Sequence, residues 1–333
     1  MTTYKELKGT NIQAVSSDPS NPIEGQVWYN TTDNVTKGRA ATAAGAWSSG
    51  GNLNTARTTG ASANAAPTYA TGILAGGLGA SGYTAITESY NGTSWTEVND
   101  LNQARAYQVG VGTSTAALSI AGYYTGTTNT SLVESWNGTN WTEITDINGS
   151  QGQSAGGAGT STAALNYGGY DYSIPGPSDK TEQWNGTNWT ELNDLNDSRY
   201  YLGGNGTSYT SCLAVGGESP GHTTNTEEWN GTNWTEVNNL NSARNALACI
   251  GTNTEAMLAV GGSLPSSKAD LTEEWNGTNW TEVADLATAR SAGAGSGSST
   301  AGLYFGGQKP AKAVETEEWN GAGVGVTRTF TDS

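Results

Sequence analysis

Cysteine and histidine are scarce in this chain of 333 residues, which narrows the chemistry open to it. Cys212 and Cys249 are the only cysteines, so a framework of several disulfides is excluded. Both lie in apolar runs (TSCLAVGG and ALACIG), and we expect buried free thiols rather than a bridge. His222 is the only histidine and lies in a Pro/Gly loop, ESPGHTTN, so a zinc site built on several histidines is excluded.

Charge is also sparse, and positive charge most of all. Charged residues make up 13% of the sequence, with 30 acidic against 14 basic side chains and a net charge of −16. A surface of this sign repels phosphate backbones and anionic membranes, so we expect no nucleic-acid partner and no membrane insertion. The N-terminus, MTTYKELKGTNIQ, has no apolar signal region, and no hydrophobic run reaches membrane-spanning length. We therefore expect a soluble protein that is made in a cytoplasm.

Aromatic residues and glycine, by contrast, are abundant and regularly spaced. The chain contains 12 Trp, 15 Tyr and 47 Gly. An aromatic-Asn-Gly triplet begins at six positions that lie 44 to 48 residues apart: Tyr90, Trp136, Trp184, Trp229, Trp275 and Trp319. A period of this length, filled with short strands, is typical of β-propeller blades. The sequence predicts an all-β protein, a six-bladed β-propeller of four-stranded antiparallel blades.

Each repeat follows one pattern, from which we predict four strands named a to d in chain order. Strand a follows an Arg, and strand b is an apolar run that ends in a Gly pair, as in Met257–Val260 before Gly261 and Gly262. A continuous apolar run is expected where both faces of a strand are covered by neighbouring blades. Strand c ends at W-N-G, strand d begins at the second Trp, and D-L-N-x-A-R leads to the next repeat.

The Asn-Gly pair between strands c and d predicts a two-residue type I′ hairpin. Counting outward from that turn places Trp275 opposite Thr278 and Glu273 opposite Trp280. The same turn explains the N-x-[ST] triplets, which we interpret as turn chemistry rather than glycosylation sites. They begin at Asn91, Asn137, Asn185, Asn230 and Asn276.

The repeated Trp and Arg side chains are predicted to hold neighbouring blades together. An Arg lies ten residues after the second Trp in five repeats, and this register predicts a guanidinium stacked on Trp or paired with a repeat Glu such as Glu88 or Glu182. Gln151 replaces the Arg in the third repeat, so one junction should differ. The structural repeat residues are Trp47, Trp95, Trp136, Trp141, Trp184, Trp189, Trp229, Trp234, Trp275, Trp280 and Trp319, with Arg57, Arg105, Arg199, Arg244 and Arg290.

The order of these elements resembles the kelch repeat. The apolar run with Gly-Gly, then Tyr or Trp, Trp and Arg, read from Ile73 to Arg105 and repeated toward the C-terminus, covers about residues 50–320. The resemblance implies a kelch-like propeller but not one function, because kelch propellers include enzymes, scaffolds and glycan binders. The copper radical oxidases among them use His ligands and a Cys-linked Tyr, a set that this chain cannot supply.

Two segments compete for the outer strand of the last blade. Trp47 lies ten residues before Arg57, in the register of the other second-Trp positions, whereas Val324–Phe330 follows W-N-G directly. We favour closure by the N-terminal segment, which removes an exposed seam between the first and last blades. The predicted domains are an N-terminal extension, residues 1–40, and a propeller, residues 41–333.

The N-terminal extension contains Pro19–Gly38 (PSNPIEGQVWYNTTDNVTKG), predicted as a strand, a turn and a second strand. On GQVWYNTT, it resembles a short segment found near the N-termini of tailed-phage fibre and other virion proteins. The resemblance implies attachment to other virion proteins or to further copies of the chain in a homo-oligomer, at a virion surface. The alternatives are a capping hairpin on the propeller rim and a cytoplasmic protein.

Ligand binding is expected where the repeats differ, because the repeated positions are explained by folding. The b–c connections vary most, and we expect them to lie together on one face. Their aromatic and polar side chains suit a sugar ring, although ordinary exposed loop residues are the alternative. The candidates are Tyr123, Tyr124, Asn129, Tyr170, Asp171, Tyr172 and His222.

The sequence thus predicts a non-enzymatic phage virion protein, a tail fibre or surface appendage whose propeller binds a host-surface glycan or a neighbouring virion subunit. We expect no catalytic residue, no metal and no cofactor. A cellular kelch-type scaffold for protein–protein interaction and a propeller glycosidase are the alternatives. A glycosidase needs a carboxylate pair that breaks the repeat, whereas one acid recurs in every repeat. Those acids are Glu88, Glu134, Glu182, Glu227, Glu273 and Glu317.

Overall fold

The computed structural model describes residues 12–17, 19, 26–39, 45–63, 70–124, 128–129, 131–149, 154–173, 175–321 and 327–330, except for the side chains of residues 38–39, 128–129, 205, 253 and 327–330. This part of the chain contains 32 strands and no helix. The chain divides into two compact units, residues 46–320, here called the repeat domain, and residues 1–45 with 321–333, here called the terminal domain.

The repeat domain contains six four-stranded antiparallel sheets, numbered 1 to 6 in chain order, each with its strands in the order a, b, c, d. Sheet 1 consists of Ala61–Ser62, Gly72–Gly79, Gly82–Tyr90 and Trp95–Val98; sheet 2 of Val109–Thr113, Ala116–Ile120, Val133–Trp136 and Trp141–Ile144; and sheet 3 of Gly156–Gly159, Ala164–Tyr167, Thr181–Trp184 and Trp189–Glu191. Sheet 4 consists of Gly203–Ser208, Ser211–Val215, Thr226–Trp229 and Trp234–Val237; sheet 5 of Ala248–Asn253, Ala256–Val260, Thr272–Trp275 and Trp280–Glu282; and sheet 6 of Ala294–Ser298, Ala301–Phe305, Thr316–Asn320 and Ala46–Ser49. This repetition of antiparallel sheets is a β-propeller-like architecture, as the sequence predicts.

Sheet 6 takes its strand d from the other end of the domain. Ala46–Ser49 pairs with Thr316–Asn320 in a register that places Trp47 opposite Trp319. The two indoles lie with their ring centroids 5.3 Å apart, and the Trp pairs of sheets 2 to 5 are 5.3 to 5.4 Å apart.

The core lies between neighbouring sheets rather than inside any one of them. Strand b of sheet 5 is buried along its apolar residues, and the indoles of Trp275 and Trp280 pack with Leu213 and Val215 of sheet 4. Continuous apolar sequence is required here because both faces of strand b are covered. Toward the inner edge the sheets approach so closely that a Cβ on Gly110 would lie 2.4 Å from the backbone oxygen of Ser62.

The Gly pair after strand b also has a conformational role. Gly261 and Gly262 have φ values of 61° and 107°, which favour glycine strongly. Sheet 2 has Ala121 at the first of these positions, and this alanine is held at a φ of 56°.

The turn between strands c and d differs from the predicted type I′ hairpin. The register pairs Trp275 with Trp280 and Glu273 with Glu282, so the predicted pairing of Trp275 with Thr278 and of Glu273 with Trp280 is wrong. The reason is the Asn276 side chain, whose Oδ1 accepts hydrogen bonds from the amides of Thr278 and Asn279 at 3.0 and 2.8 Å. An Asn that bonds the backbone two and three residues ahead stabilises a four-residue turn and brings the two indoles opposite each other. The equivalent Asn91, Asn137, Asn185 and Asn230 make the same pair of hydrogen bonds.

The terminal domain has one four-stranded sheet, in the order Gln13–Val15, Val27–Asn30, Val35–Arg39, Thr327–Phe330. The first two strands are parallel and the others antiparallel. Asn30 shapes the turn that follows, because its Oδ1 accepts hydrogen bonds from two amides of that turn. The C-terminal strand Thr327–Phe330, the other candidate for closure, thus pairs with Val35–Arg39.

Candidate functional site

A closed ring of six backbone hydrogen bonds joins the connections between strand d of one sheet and strand a of the next. Each amide donates to the carbonyl of the next member, with N···O distances of 2.7 to 3.0 Å, and the last bond returns to the first residue. All six residues have φ between 49° and 64°, and none is glycine. Non-glycine residues persist in this region only where the surrounding structure holds them there. The members of this hydrogen-bonded ring are Thr59, Tyr107, Ser154, Tyr201, Ala246 and Ala292.

The ring frames a cavity of about 120 Å³, which its six members and their neighbours line. A second cavity, of about 130 Å³, is lined by residues at the start of the strands a, including Gly157, Gly204 and Gly295. The antiparallel order within each sheet places the d–a and the b–c connections at the same ends of the strands. We call this end of the repeat domain the loop face.

Seven tyrosine side chains form one continuous band on the loop face. Consecutive ring centroids along this tyrosine band lie 4.6 to 6.2 Å apart, within the range of favourable aromatic contacts. The band runs in the order Tyr83, Tyr123, Tyr172, Tyr170, Tyr200, Tyr201, Tyr107. Its last two members belong to the hydrogen-bonded ring, so the band reaches the mouth of the cavity.

The band offers aromatic surface without adding charge. Tyr172 is 45% exposed, and the other six side chains are half-buried. Burial raises the pKa of Tyr201 strongly, and burial together with the carboxylate of Glu218 raises the pKa of Tyr200. These phenols therefore stay neutral at physiological pH, where they present a ring face for stacking and a hydroxyl for hydrogen bonding.

Three of the predicted ligand residues, Tyr123, Tyr170 and Tyr172, belong to the tyrosine band. Tyr124 is half-buried and makes no ring contact within the described part of the chain. The Oδ1 of Asp171 accepts hydrogen bonds from the amide and hydroxyl of Ser173 at 2.7 and 2.6 Å, which uses this oxygen in its own turn.

The two other predicted residues lie outside the band. Asn129 pairs with Tyr123 through its backbone, but its side chain is outside the described residues. His222 lies opposite Glu218 in the b–c connection of sheet 4, and its Nδ1 is buried without a hydrogen-bond partner among the residues described.

Four members of the band were not among the predicted ligand residues, because the prediction covered only the b–c connections from Tyr123 onward. Tyr83 lies where strands b and c of sheet 1 extend beyond the Gly pair, with Leu78 opposite it. Tyr107, Tyr200 and Tyr201 lie one or two residues after the repeat Arg, where other repeats have Thr, Asn, Ser or Ala. The exchange of small residues for Tyr at these positions was a signal available in the sequence.

The repeated Arg and Glu side chains join one sheet to the next. Arg57 donates a hydrogen bond from Nη1 to Oε1 of Glu88 at 2.6 Å, and both side chains are fully buried. The geometry is therefore pairing with Glu, rather than stacking on Trp. The same pairing recurs between Arg105 and Glu134, Arg199 and Glu227, Arg244 and Glu273, and Arg290 and Glu317, at 2.6 to 3.3 Å. Arg290 additionally lies 4.8 Å from the ring centroid of Tyr304.

At the junction before sheet 3, the repeat Glu accepts the same backbone and Asn hydrogen bonds as Glu88 does from Asn54 and Thr55. Glu182 accepts hydrogen bonds from the backbone amides of Asn148 and Gly149 and from the Asn148 side chain, at 2.8 to 2.9 Å. Gln151, predicted to alter this junction, lies outside the described residues.

The repeated Trp side chains hold the same interfaces. The indole of Trp234 in sheet 4 donates to Oγ1 of Thr181 in sheet 3 at 2.9 Å. Sheet 2 has Val133 at the position of this Thr, and Trp189 donates instead to the backbone oxygen of Thr145 at 3.1 Å. The repeated indoles therefore stabilise the contacts between sheets.

Neither cysteine is poised for chemistry. Cys212 and Cys249 are buried thiols, and burial raises the pKa of both, that of Cys249 to about 12. Both thiols stay protonated at physiological pH, and protonated thiols are poor nucleophiles.

Among the residues that the structure describes, no three His, Cys, Asp or Glu side chains lie together in a way that would hold a metal ion. The same residues contain no helix long and apolar enough to cross a membrane. No protein-family model matches this sequence, and no curated protein matches it.

Proposed function

We propose that the repeat domain is a closed, six-bladed, kelch-like β-propeller. Two observations support it besides the six repeated sheets. The strands a contact one another in a cyclic order, from sheet 1 through sheet 6 and back to sheet 1. The six-membered hydrogen-bonded ring follows the same cyclic order.

We further propose that this propeller is a non-enzymatic recognition module whose loop face binds a carbohydrate. The tyrosine band is the observation that carries the proposal. A band of neutral, partly exposed aromatic rings that carry hydroxyl groups complements the apolar faces and hydroxyl groups of sugar rings. The band breaks the repeat symmetry, so the fold alone does not explain it.

The disposition of the acidic residues favours binding over hydrolysis. Glu134, Glu227 and Glu273 are each no more than 2% exposed. Each carboxylate pairs with an Arg and accepts a hydrogen bond from an Asn side chain of the preceding connection. Carboxylates held in this way support the sheet junctions and are not available as a general acid and a nucleophile.

The terminal domain is, in this proposal, the attachment device of a phage virion protein. Its GQVWYN segment supplies the strand Val27–Asn30, with Trp28 fully buried and Asn30 closing the turn. We propose that it joins other virion proteins or further copies of this chain, at the virion surface. Several propellers on one particle would sum weak sugar contacts into firm adhesion to a host surface.

The test is binding of the full chain to a panel of immobilised glycans and to intact host cells. Tyr172→Ala and Tyr123→Ala should each weaken binding by about tenfold or more, because each removes a platform from the middle of the band. Tyr209→Ala is the matched control, because Tyr209 lies in the a–b turn of sheet 4, at the opposite end of the strands from the loop face. Its substitution should leave binding unchanged.

Blank glycan and cell assays with the folded full chain would reject carbohydrate recognition. Equal losses in Tyr172→Ala and Tyr209→Ala would also reject it, because they would report a general loss of structure and not a site on the loop face.

A further inference from the structure

Two lysines of the loop face are not paired with a carboxylate in the described part of the repeat domain. Nine Lys and Arg residues lie between positions 46 and 320, and the five Arg are buried in the junctions. Lys180 and Lys309 pair with Glu191 and Glu315. The other two, Lys268 and Lys312, have no carboxylate within 4.0 Å in the part of the chain that the structure describes.

Both of these lysines are fixed beside the hydrogen-bonded ring. The Nζ of Lys268 donates to Oγ of Ser291 at 3.0 Å, and Ser291 precedes the ring member Ala292. The Nζ of Lys312 donates to the backbone oxygen of Gly79. The neighbouring Leu78 pairs with Thr58, and Thr58 precedes the ring member Thr59.

Ala292 and Thr59 are adjacent in the ring, joined by a hydrogen bond of 3.0 Å. The two ammonium groups therefore flank one side of the mouth. On that side three consecutive ring members, Ala246, Ala292 and Thr59, have small side chains. The remaining members include Tyr107 and Tyr201, the end of the tyrosine band. The mouth thus has an aromatic side and an open side bordered by two lysines. The carboxylate of Glu218, which accepts a hydrogen bond from the Asn245 side chain and contacts Tyr200, lies where the two sides meet.

We infer that the loop face binds an acidic saccharide, with a sugar ring on the tyrosine band and a carboxylate or sulfate between Lys268 and Lys312. The inference rests on the proposed carbohydrate-binding function and names the class of ligand. A chain with a net charge of −16 repels anions in general, so unbalanced lysines at a cavity mouth provide a local exception. Ammonium groups bind anionic oxygens as point charges, and the neutral phenols of the band add no repulsion.

The experiment is isothermal titration of the full chain with two matched pairs of probes. The first pair is oligogalacturonate and its methyl ester, which differ only in the charge of the carboxyl groups. The second is a sulfated galactan oligosaccharide and its desulfated form. At least one charged form should bind about tenfold tighter than its neutral counterpart, and the pair that does so identifies the anion.

Lys268→Gln and Lys312→Gln should each weaken binding of that charged probe by about tenfold and leave binding of its neutral counterpart unchanged. Lys180→Gln is the charge-matched control, because Lys180 pairs with Glu191 on strand d of sheet 3, and it should bind like the unmodified chain. Thermal unfolding of each variant verifies that it folds. If Lys268→Gln is destabilised, the binding of Lys312→Gln to the charged and neutral probes is the test of the inference.

Equal affinity for charged and neutral probes would overturn the inference, as would Lys variants that bind the charged probe normally. In both cases loss of binding in Tyr172→Ala would leave the carbohydrate function standing. If no probe, charged or neutral, bound the full chain, and the glycan panel and host cells were blank as well, both proposals would fall.

Discussion

At the scale of single residues, Asn166 stands out among the described residues as a buried side chain with both polar atoms unsatisfied. It lies in strand b of sheet 3, opposite Glu182, and is fully buried. Neither its Oδ1 nor its Nδ2 has a hydrogen-bond partner among the residues described. The equivalent positions of the other sheets have Leu74, Ser119, Ala214, Ala259 and Tyr304. A buried amide without partners costs free energy that an apolar side chain of similar shape would not.

Asn166→Leu should therefore raise the free energy of unfolding by about 1–3 kcal/mol. Urea unfolding followed by tryptophan fluorescence measures this change. Ser119→Ala is the matched comparison, because Ser119 accepts a hydrogen bond from Arg105 at 3.1 Å, and its removal should lower the free energy by about 1 kcal/mol. A loss of stability in Asn166→Leu would mean that the amide has a partner that it needs.

At the scale of structural elements, the junctions between sheets depend on buried charge. Arg199 is fully buried, and its Nη2 lies 2.9 Å from Oε1 of Glu227. Asn196 donates two further hydrogen bonds to Oε2 of the same carboxylate at 2.7 and 2.8 Å. Burial lowers the pKa of Arg199, and the nearby Glu227 raises it in opposition. The pair is thus costly to bury but much costlier to break, since one charge would remain alone.

Arg199→Met should lower the free energy of unfolding by about 3–5 kcal/mol, because it leaves the Glu227 carboxylate buried without its counter-ion. Adding Glu227→Gln should recover part of this loss, so the double variant is more stable than the sum of the single changes predicts. Lys180→Met removes an ion pair whose partners are 40% and 55% exposed, and should change stability by less than about 1 kcal/mol. Equal effects of the buried and exposed substitutions in chemical denaturation would contradict this account.

At the scale of the whole molecule, the spacing of Trp, Gly and Arg was enough to predict the strands and their order, because each repeat places them at fixed positions in one sheet. The c–d register was predicted wrongly, because Asn-Gly alone does not reveal that the Asn276 side chain caps a four-residue turn. For the repeat Arg, the sequence predicts either a Glu or a Trp partner and does not decide between them. Register within a hairpin is local, but the choice between Trp and Glu depends on how two sheets pack.

The candidate site was predicted only in part for the same reason. Tyr123, Tyr170 and Tyr172 stand out as departures from the repeat within one kind of connection. Tyr107 and Tyr201 are far from them in sequence and follow the Arg of other connections. Only the meeting of d–a and b–c connections at one end of the sheets joins the two groups, and this is a property of the assembled fold.

Closure between the ends of the repeat domain yields the last prediction. Strand d of sheet 6 is Ala46–Ser49, whose Trp47 stacks beside Trp319 and donates from Nε1 to Oγ1 of Thr272 in sheet 5 at 3.0 Å. A fragment of residues 46–320 retains all six sheets and should unfold cooperatively. A fragment of residues 50–320 lacks only this strand, which leaves the edge of Thr316–Asn320 uncovered.

The shorter fragment should lose about 2–4 kcal/mol of unfolding free energy, because it loses the half-buried Trp47 indole together with the backbone hydrogen bonds of this strand. It should also self-associate through its open edge. Urea unfolding with analytical ultracentrifugation distinguishes the two fragments. Full-length chain carrying Trp47→Ala separates loss of the indole from loss of the strand, because it keeps the backbone pairing. If residues 50–320 were as stable and as monomeric as residues 46–320, the four N-terminal residues would not close the sixth sheet in solution, and the closed propeller would have to be abandoned.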